Sequence, residues 1–199
     1  MAASDIFMDC GHFQFKKRSW HHRNYILLNG KRHLLSVPIH CPSRHSIKEA
    51  WFDDPSWKKD HLETIALAYG KSPFFDDYYP DLKEIILAHP HSLELLNREL
   101  TWTIARWLGI KTKMRDSCNW HFTGDAVDML IQMCKAVGAD VYLSNEGAAA
   151  YLGSEEENRM KAAGILHSWL EFDDPDEEPV SAIHHLFTLG PEARKLIIK

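Results

Sequence analysis

Several things are scarce in this 199-residue chain, and each scarcity narrows the reading. Its four cysteines, Cys10, Cys41, Cys118 and Cys134, are widely scattered with no CxxC pair, which argues against a zinc knuckle or a disulfide scaffold and for reduced thiols. No apolar run approaches the roughly 20 residues that span a bilayer, and MAASDIFMDC lacks a basic start followed by a long apolar stretch. The chain therefore reads as cytoplasmic, with no membrane span. Internal repeats and low-complexity tracts are absent too. GxGxxG, GxxxxGKS/T and GxSxG are missing, which removes the commonest nucleotide-binding and hydrolase signatures and leaves any cofactor unknown. A metal site is not assigned: His21 and His22 cannot both point the same way on an extended chain, and remote carboxylates or His12 would have to complete the ligand set.

What is present is an ordinary globular balance, 45% hydrophobic and 26% charged, long enough to bury a core in one domain. The net charge of −5 hides an asymmetry. Residues 1–50 hold eight Lys or Arg against three Asp or Glu, net +5, so the remainder holds 15 against 25, net −10. Six of the 13 histidines (His12, His21, His22, His33, His40 and His45) also fall in that basic head, whose attraction for anions should rise on mild acidification. Six acids crowd residues 171–178 and read as a solvated loop.

The most specific stretch is FKKRSWHHRNYILLNGKRHLLSVPIH, residues 15–40. Lys16, Lys17, Arg18 and Arg23 are interleaved with Phe15, Trp20 and Tyr25, which sets cationic donors beside flat apolar faces. That combination suits an anionic, ring-bearing ligand, although exposed basic runs are also common as plain solvated loops. Tyr25 to Leu28 reads as a strand, Asn29-Gly30 as a type I′ turn, and Leu34 to Ile39 as the returning strand. Alternation on the arm places Arg23 and Tyr25 on one side and Asn24 and Ile26 on the other.

Periodicity and punctuation give the remaining order. Asp5 to Met8 is a short strand. Ser56 to Tyr69 is a helix stopped by Gly70, SPFFDDYYPD a turn before a helix from about Asp81 to Ala88, and Ser92 the cap of a helix running to Trp107. Ile110 to Arg115 is a strand, and Thr123 caps a helix that Gly138 stops. Ala139 to Leu143 is a strand, Ser154 and Glu157 a capping box, Ile165 to Phe172 a strand, and Val180 to Leu189 a helix broken by Gly190-Pro191. Strands separated by helices predict an α/β fold, a mainly parallel sheet flanked by helices with an N-terminal β-hairpin.

The order SDIFMD, then FQFKKRSWHHRNYI, then HLLSVPI resembles the WbqC-like family, which is associated with bacterial surface-polysaccharide (O-antigen) gene clusters. The likeness continues in the Trp57 to Phe75 region, in GADVYLSNEGAAAYL and in PVSAIHHLFTLG, so it covers nearly the whole chain. Members of that family usually begin with a further strand and helix carrying a motif like HQPnYlPW. This chain starts at Met1 just ahead of SDIFMD, and residues 1–199 read as a single WbqC-like α/β domain without that first segment. A second acid commonly follows the one matched by Asp9, where Cys10 stands, and an acid is expected near His184.

The resemblance implies a part in making O-antigen or a similar polysaccharide, by transfer of an acyl or aminoacyl (glycyl) group to a nucleotide-activated amino sugar. The residues speak to the binding half of that role. Arg18 and Arg23, with Lys17, would hold the diphosphate of a sugar nucleotide, with Trp20 or Tyr25 beneath a ring. Asp9, at the end of the first strand, is the candidate general base or substrate-orienting carboxylate. Asn24, Ser144, Asn145 and Glu146 would complete the polar lining if the two loops converge. Two other readings stand beside this one. A non-catalytic accessory module would keep the anion site and use an exposed sheet edge to pair with another chain, for instance as a homo-oligomer. Nucleic-acid binding would use the same cations and aromatics, but the basic patch is small and the whole chain acidic.

Overall fold

The computed structural model describes residues 1–9, 11–52, 54–88, 91–145, 148–149, 152–170 and 179–198. Its elements run β1 (Ile6–Met8), β2 (Arg23–Leu28), β3 (Lys31–Ser36), α1 (Ser56–Tyr69), α2 (Phe75–Ala88), α3 (Leu93–Trp107), β4 (Lys113–Arg115), α4 (Ala126–Val137), β5 (Val141–Ser144), α5 (Ser154–Ala162), β6 (Leu166–Trp169), α6 (Ala182–Leu189) and α7 (Ala193–Ile197). This is the expected α/β order with its early hairpin. The parallel strands do not form one sheet, however: among the described residues β1 pairs with β4, β5 with β6, and β2 with β3.

The hairpin closes on Asn29 and Gly30, whose φ values of 53° and 73° are the pair that a type I′ turn demands. A two-residue turn forces its flanking residues to pair at once, so Leu28 faces Lys31 and the returning arm is Lys31–Ser36 rather than Leu34 to Ile39. Pairing of Arg23 with Ser36 likewise carries the first arm two residues further back than Tyr25. Ile26 is buried on the inner face, as the alternation predicts.

Local signals account for most helix ends, and tertiary packing moves the rest. Ser92 caps α3 by accepting from the Leu95 N–H, and Gly138 ends α4 in the left-handed conformation. The aromatic stretch before Asp81 is helix instead of turn: α2 starts at Phe75 and contains Pro80. Proline there forfeits one backbone hydrogen bond, which the burial of Phe75, Tyr78 and Leu82 on the core side offsets. Asp125, not Thr123, caps α4, accepting from the Val127 and Asp128 N–H groups at 2.9 Å each. On α5 the Glu156 carboxylate accepts the Gly153 N–H, so the expected box between Ser154 and Glu157 is not the one that forms. Strand β4 begins at Lys113 because the Ile110 N–H bonds back to Ala105 and its side chain joins the core. The other parallel pair occupies Val141–Ser144 and Leu166–Trp169, and the acidic run at 171–178 lies outside the described residues.

Three apolar clusters hold these pieces together. The largest joins Ile26 and Val37 of the hairpin region to α1, α2, α3 and α6, with Phe52, Leu186 and Phe187 fully buried. A second gathers Val127, Leu130, Met133 and Cys134 of α4 with Met160 and Ile165, and receives Met8 and Phe13. A small third cluster, Phe15, Ile47, Ala50 and Leu93, lies under the loop after β1. That loop thus passes between apolar clusters, and its polar residues meet the N-terminal half of α3. No helix of the described residues is long and apolar enough to cross a membrane.

Candidate active site

Asp9 and Asp116 each follow the last residue of a parallel strand, β1 and β4, and open α/β structures bind ligands at such strand ends. Asp9 Oδ1 accepts from both the N–H and the hydroxyl of Ser117, each at 3.2 Å. Ser117 is fully buried and its Oγ also lies 2.8 Å from His12 Nδ1. A carboxylate only accepts, so the serine proton points to Asp9 and the serine oxygen accepts from the imidazole Nδ1–H. This fixes the tautomer and leaves the lone pair of His12 on Nε2. Both His12 Nε2 and Asp9 Oδ2 are buried and lack a hydrogen-bond partner among the described residues. Burial lowers the His12 pKa, against the opposing attraction of Asp9, and favours the neutral base.

A second group of polar residues packs alongside. Arg98 Nη1 lies 2.7 Å from Glu94 Oε1, one turn away on α3, and 2.6 Å from Asp116 Oδ2. Asp116 also caps the short 3-10 turn Ser117–Asn119 by accepting the Cys118 N–H at 2.8 Å. Burial raises the Glu94 pKa, with Arg98 pulling the other way. The Cys118 thiol is pushed up to about 11, first by burial and then by the charges of Glu94 and Asp116. Gly11 covers both: a Cβ there would stand 2.8 Å from Glu94 Cγ and 3.0 Å from Cys118 Sγ. Donor atoms of Glu94, Asp116 and Cys118 lie within 4.8 Å of one another, the spacing of a metal site. Yet the guanidinium of Arg98 already sits against both carboxylates, and a thiol with so high a pKa is a poor ligand.

The cation-bearing loop reaches the same helix, since Asn97 of α3 donates to the His21 carbonyl at 2.7 Å. Lys17 and Arg18 are exposed, and Arg18 takes a φ of 60°. The Arg23 guanidinium lies 5.2 Å from the Trp20 ring centre, Trp20 lies 5.8 Å from Tyr25, and Arg32 stacks on Tyr25 at 3.7 Å. Trp20 is 63% exposed, while Arg23, Tyr25 and Arg32 are half-buried beside it. Arg32 joins this cluster because Leu27 pairs with Arg32, which places that cation on the face shared by Arg23 and Tyr25. The pleat sends Asn24 to the opposite face, where its Oδ1 accepts the Tyr25 N–H. Burial lowers the His21 pKa, as it does that of His12, so these two imidazoles take up protons less readily than free ones on acidification.

Ser144 and Asn145 do not converge on that surface, and Glu146 lies outside the described residues, as does Cys10. Ser144 and Asn145 line a cleft of about 610 Å³ whose opposite wall is β1, while none of Lys17 to Tyr25 borders it. Ser144 Oγ lies 2.7 Å from His167 Nε2, and His167 Nδ1 lies 2.8 Å from Glu157 Oε1. The β5 and β6 register, Tyr142 opposite His167 and Ser144 opposite Trp169, puts the serine and the imidazole on one face. Arg159 fixes α5 to the start of α4 through Asp125 at 2.8 Å and Asp128 at 2.7 Å, and so steadies the helix that carries Glu157.

Of the residues singled out in the sequence, Asp9 meets Ser117, Arg23, Trp20 and Tyr25 cluster with Arg32, and Ser144 meets His167; Glu94, Arg98, Asp116, Ser117, His167 and Glu157 were not singled out as site residues. A first-turn Glu94 four residues before Arg98 looks like an ordinary surface pair. The one available signal was two short strands each ending in aspartate.

A model of the WbqC-like protein family matches residues 1–195. An uncharacterised protein of Mycobacterium tuberculosis is 28% identical over 205 residues, covering 97% of this chain and 87% of that protein. No solved structure matches.

Proposed function

Because the chain belongs to the WbqC-like protein family, we propose that it is an enzyme of surface-polysaccharide (O-antigen) assembly that transfers an acyl or aminoacyl group to a nucleotide-activated amino sugar. The observation that carries this reading is the presence of two features joined by the segment between β1 and β2. One is the half-buried relay of Asp9, Ser117 and His12, and the other is the cluster of Arg23, Trp20, Tyr25 and Arg32 around the exposed Trp20 ring.

In this reading the diphosphate is held by Arg23 and by the exposed Lys17 and Arg18, with forked, charge-assisted bonds that Arg supplies best. Trp20 and Tyr25 present flat faces to the base or sugar ring. An amino group entering beside His12 gives its proton to Nε2 as it attacks the acyl carbon of an activated ester or thioester, whose alkoxide or thiolate leaves with the proton from Nε2. Asp9 acts through Ser117, holding the imidazole in the tautomer that accepts and stabilising the imidazolium that results. Its role is therefore positioning, with His12 as the base.

Isothermal titration with uridine- and thymidine-diphosphate amino sugars, run against the free nucleotides and free sugars, tests the binding half. Saturable heat with the intact sugar nucleotide is expected. Absence of binding to every member of the panel at millimolar concentration overturns the reading.

A further inference from the structure

Ser144, His167 and Glu157 form a relay that the role just proposed does not use. Glu157 is an acid on α5, 2.8 Å from Nδ1 of an imidazole whose side chain is 3% exposed. A carboxylate at that nitrogen requires the proton to sit on Nδ1, which leaves the Nε2 lone pair facing Ser144 Oγ at 2.7 Å. The imidazole is held on both sides, by Tyr142 at 5.9 Å and Trp169 at 4.5 Å between ring centres. Nucleophile, base and orienting acid therefore stand in the order and at the distances that activated serines share across unrelated folds.

Position supports chemistry as well as geometry. Ser144 is the last residue of β5, and it borders the cleft of about 610 Å³, a size that fits a small ligand. The other walls are mainly apolar, among them Ile6, Phe7, Leu130, Met133 and Leu143. Such walls accept a hydrocarbon chain and exclude water from an ester bond. The β1 wall of the cleft ends at Met8, the residue before Asp9.

We infer that Ser144 is an acyl-accepting nucleophile, with His167 as its general base and Glu157 as the orienting acid, and that its donor is a thioester or activated ester of an apolar acyl group. In the first half-reaction the Ser144 hydroxyl proton passes to His167 Nε2 as the Oγ to carbonyl-carbon bond forms. The carbon to leaving-group bond then breaks, and the thiolate or alkoxide departs with the proton from Nε2. In the second half, with water as the simplest acceptor, water attacks the Ser144 ester, its proton goes to His167 Nε2, and the Ser144 alkoxide recovers that proton on release. The inference rests on the acyl-transfer reading above for its physiological acceptor, but the first half-reaction needs no sugar nucleotide.

The test is covalent labelling of the full chain with an alkyl fluorophosphonate. The Ser144 oxygen would displace fluoride at phosphorus, and intact mass with peptide mapping reads the adduct. A single adduct on Ser144 is expected, absent in Ser144→Ala. His167→Gln should slow labelling by about a hundredfold, the usual contribution of a positioned base, and Glu157→Gln by less. Glu157 is 42% exposed on its side chain, so its substitution leaves the fold intact and keeps the test decisive if His167→Gln unfolds. Lack of an adduct on the folded wild-type protein, or labelling at an unchanged rate in Glu157→Gln, overturns the inference. Either result leaves the titration with sugar nucleotides untouched, and failure of that titration leaves the labelling result standing.

Discussion

Arg98 donates to Asp116 at 2.6 Å, and the same nitrogen faces Glu94 at 2.7 Å. One guanidinium thus sits against two carboxylates from different parts of the chain, with side chains only 20%, 22% and 9% exposed. Removing the cation would leave the buried Glu94 and half-buried Asp116 facing each other with only Lys48 to offset their charge. Arg98→Met should therefore destabilise the protein by roughly 3 kcal/mol, the usual scale for breaking a buried pair. Adding Glu94→Gln to that variant should recover part of the loss. Chemical denaturation of the two single variants and the double variant checks this, and strict additivity would contradict the shared nitrogen.

Arg23 stands on a paired strand, so its backbone is ordered while its half-buried guanidinium lies against the exposed Trp20 ring. Arg23→Ala should weaken sugar-nucleotide binding by about 1.5–3 kcal/mol, the range for a hydrogen bond to a charged group, and Arg23→Lys should weaken it less. Thermal stability should barely move in either variant. If Arg23→Ala unfolds the protein while the folded fraction binds as before, the residue belongs to the fold.

Acid should destabilise the protein through three histidines. Burial lowers the pKa of His12, His21 and His61 in the folded state. A histidine whose folded pKa lies below its unfolded value binds fewer protons in the folded state. Its contribution is complete above the unfolded pKa, near 6.5, and is lost as the pH falls from there toward the folded value. Melting temperature should fall between pH 7 and pH 5, and His61→Gln should flatten the slope. An unchanged slope in that variant would rule out the contribution of His61.

Cys118 should be a slow thiol. With its pKa near 11, almost none of it is thiolate at pH 7. Because burial is the largest cause and Glu94 and Asp116 follow, Asp116→Asn should speed alkylation at Cys118 only in part. Timed iodoacetamide labelling with peptide mapping separates it from the other cysteines. Alkylation as fast as a free thiol in the native protein would contradict the enclosed position under Gly11.

How much of this was legible depends on the reach of each signal. Asn29-Gly30 revealed the hairpin because a type I′ turn is specified by two adjacent residues. Ser92 and Gly138 were read correctly for the same reason. Asp9 was placed at a strand end, but its partners could not be named, since Ser117 reaches it only when β1 pairs with β4. Glu157 was misread because Ser-x-x-Glu is also a capping pattern, and the local explanation hid the tertiary one, the bond to His167. Arg32 escaped notice because membership of the face with Tyr25 follows from the cross-strand register, which depends on the exact turn.

The pairing of β1 with β4 also sets an order of assembly. The bonds that define the relay around His12 join residues 105 and 108 positions apart, while the hairpin arms meet across a two-residue turn. Closing so long a loop carries a large entropic penalty before any contact repays it, whereas hairpins and helices form from neighbours within microseconds. The hairpin that bears Arg23 and Tyr25 can therefore fold early, and the half-buried relay appears only when Asp9 and Ser117 come together. In hydrogen exchange the amide of Ser117 should then open with the β1 and β4 unit as a whole, reporting the integrity of the site from a backbone proton rather than from turnover.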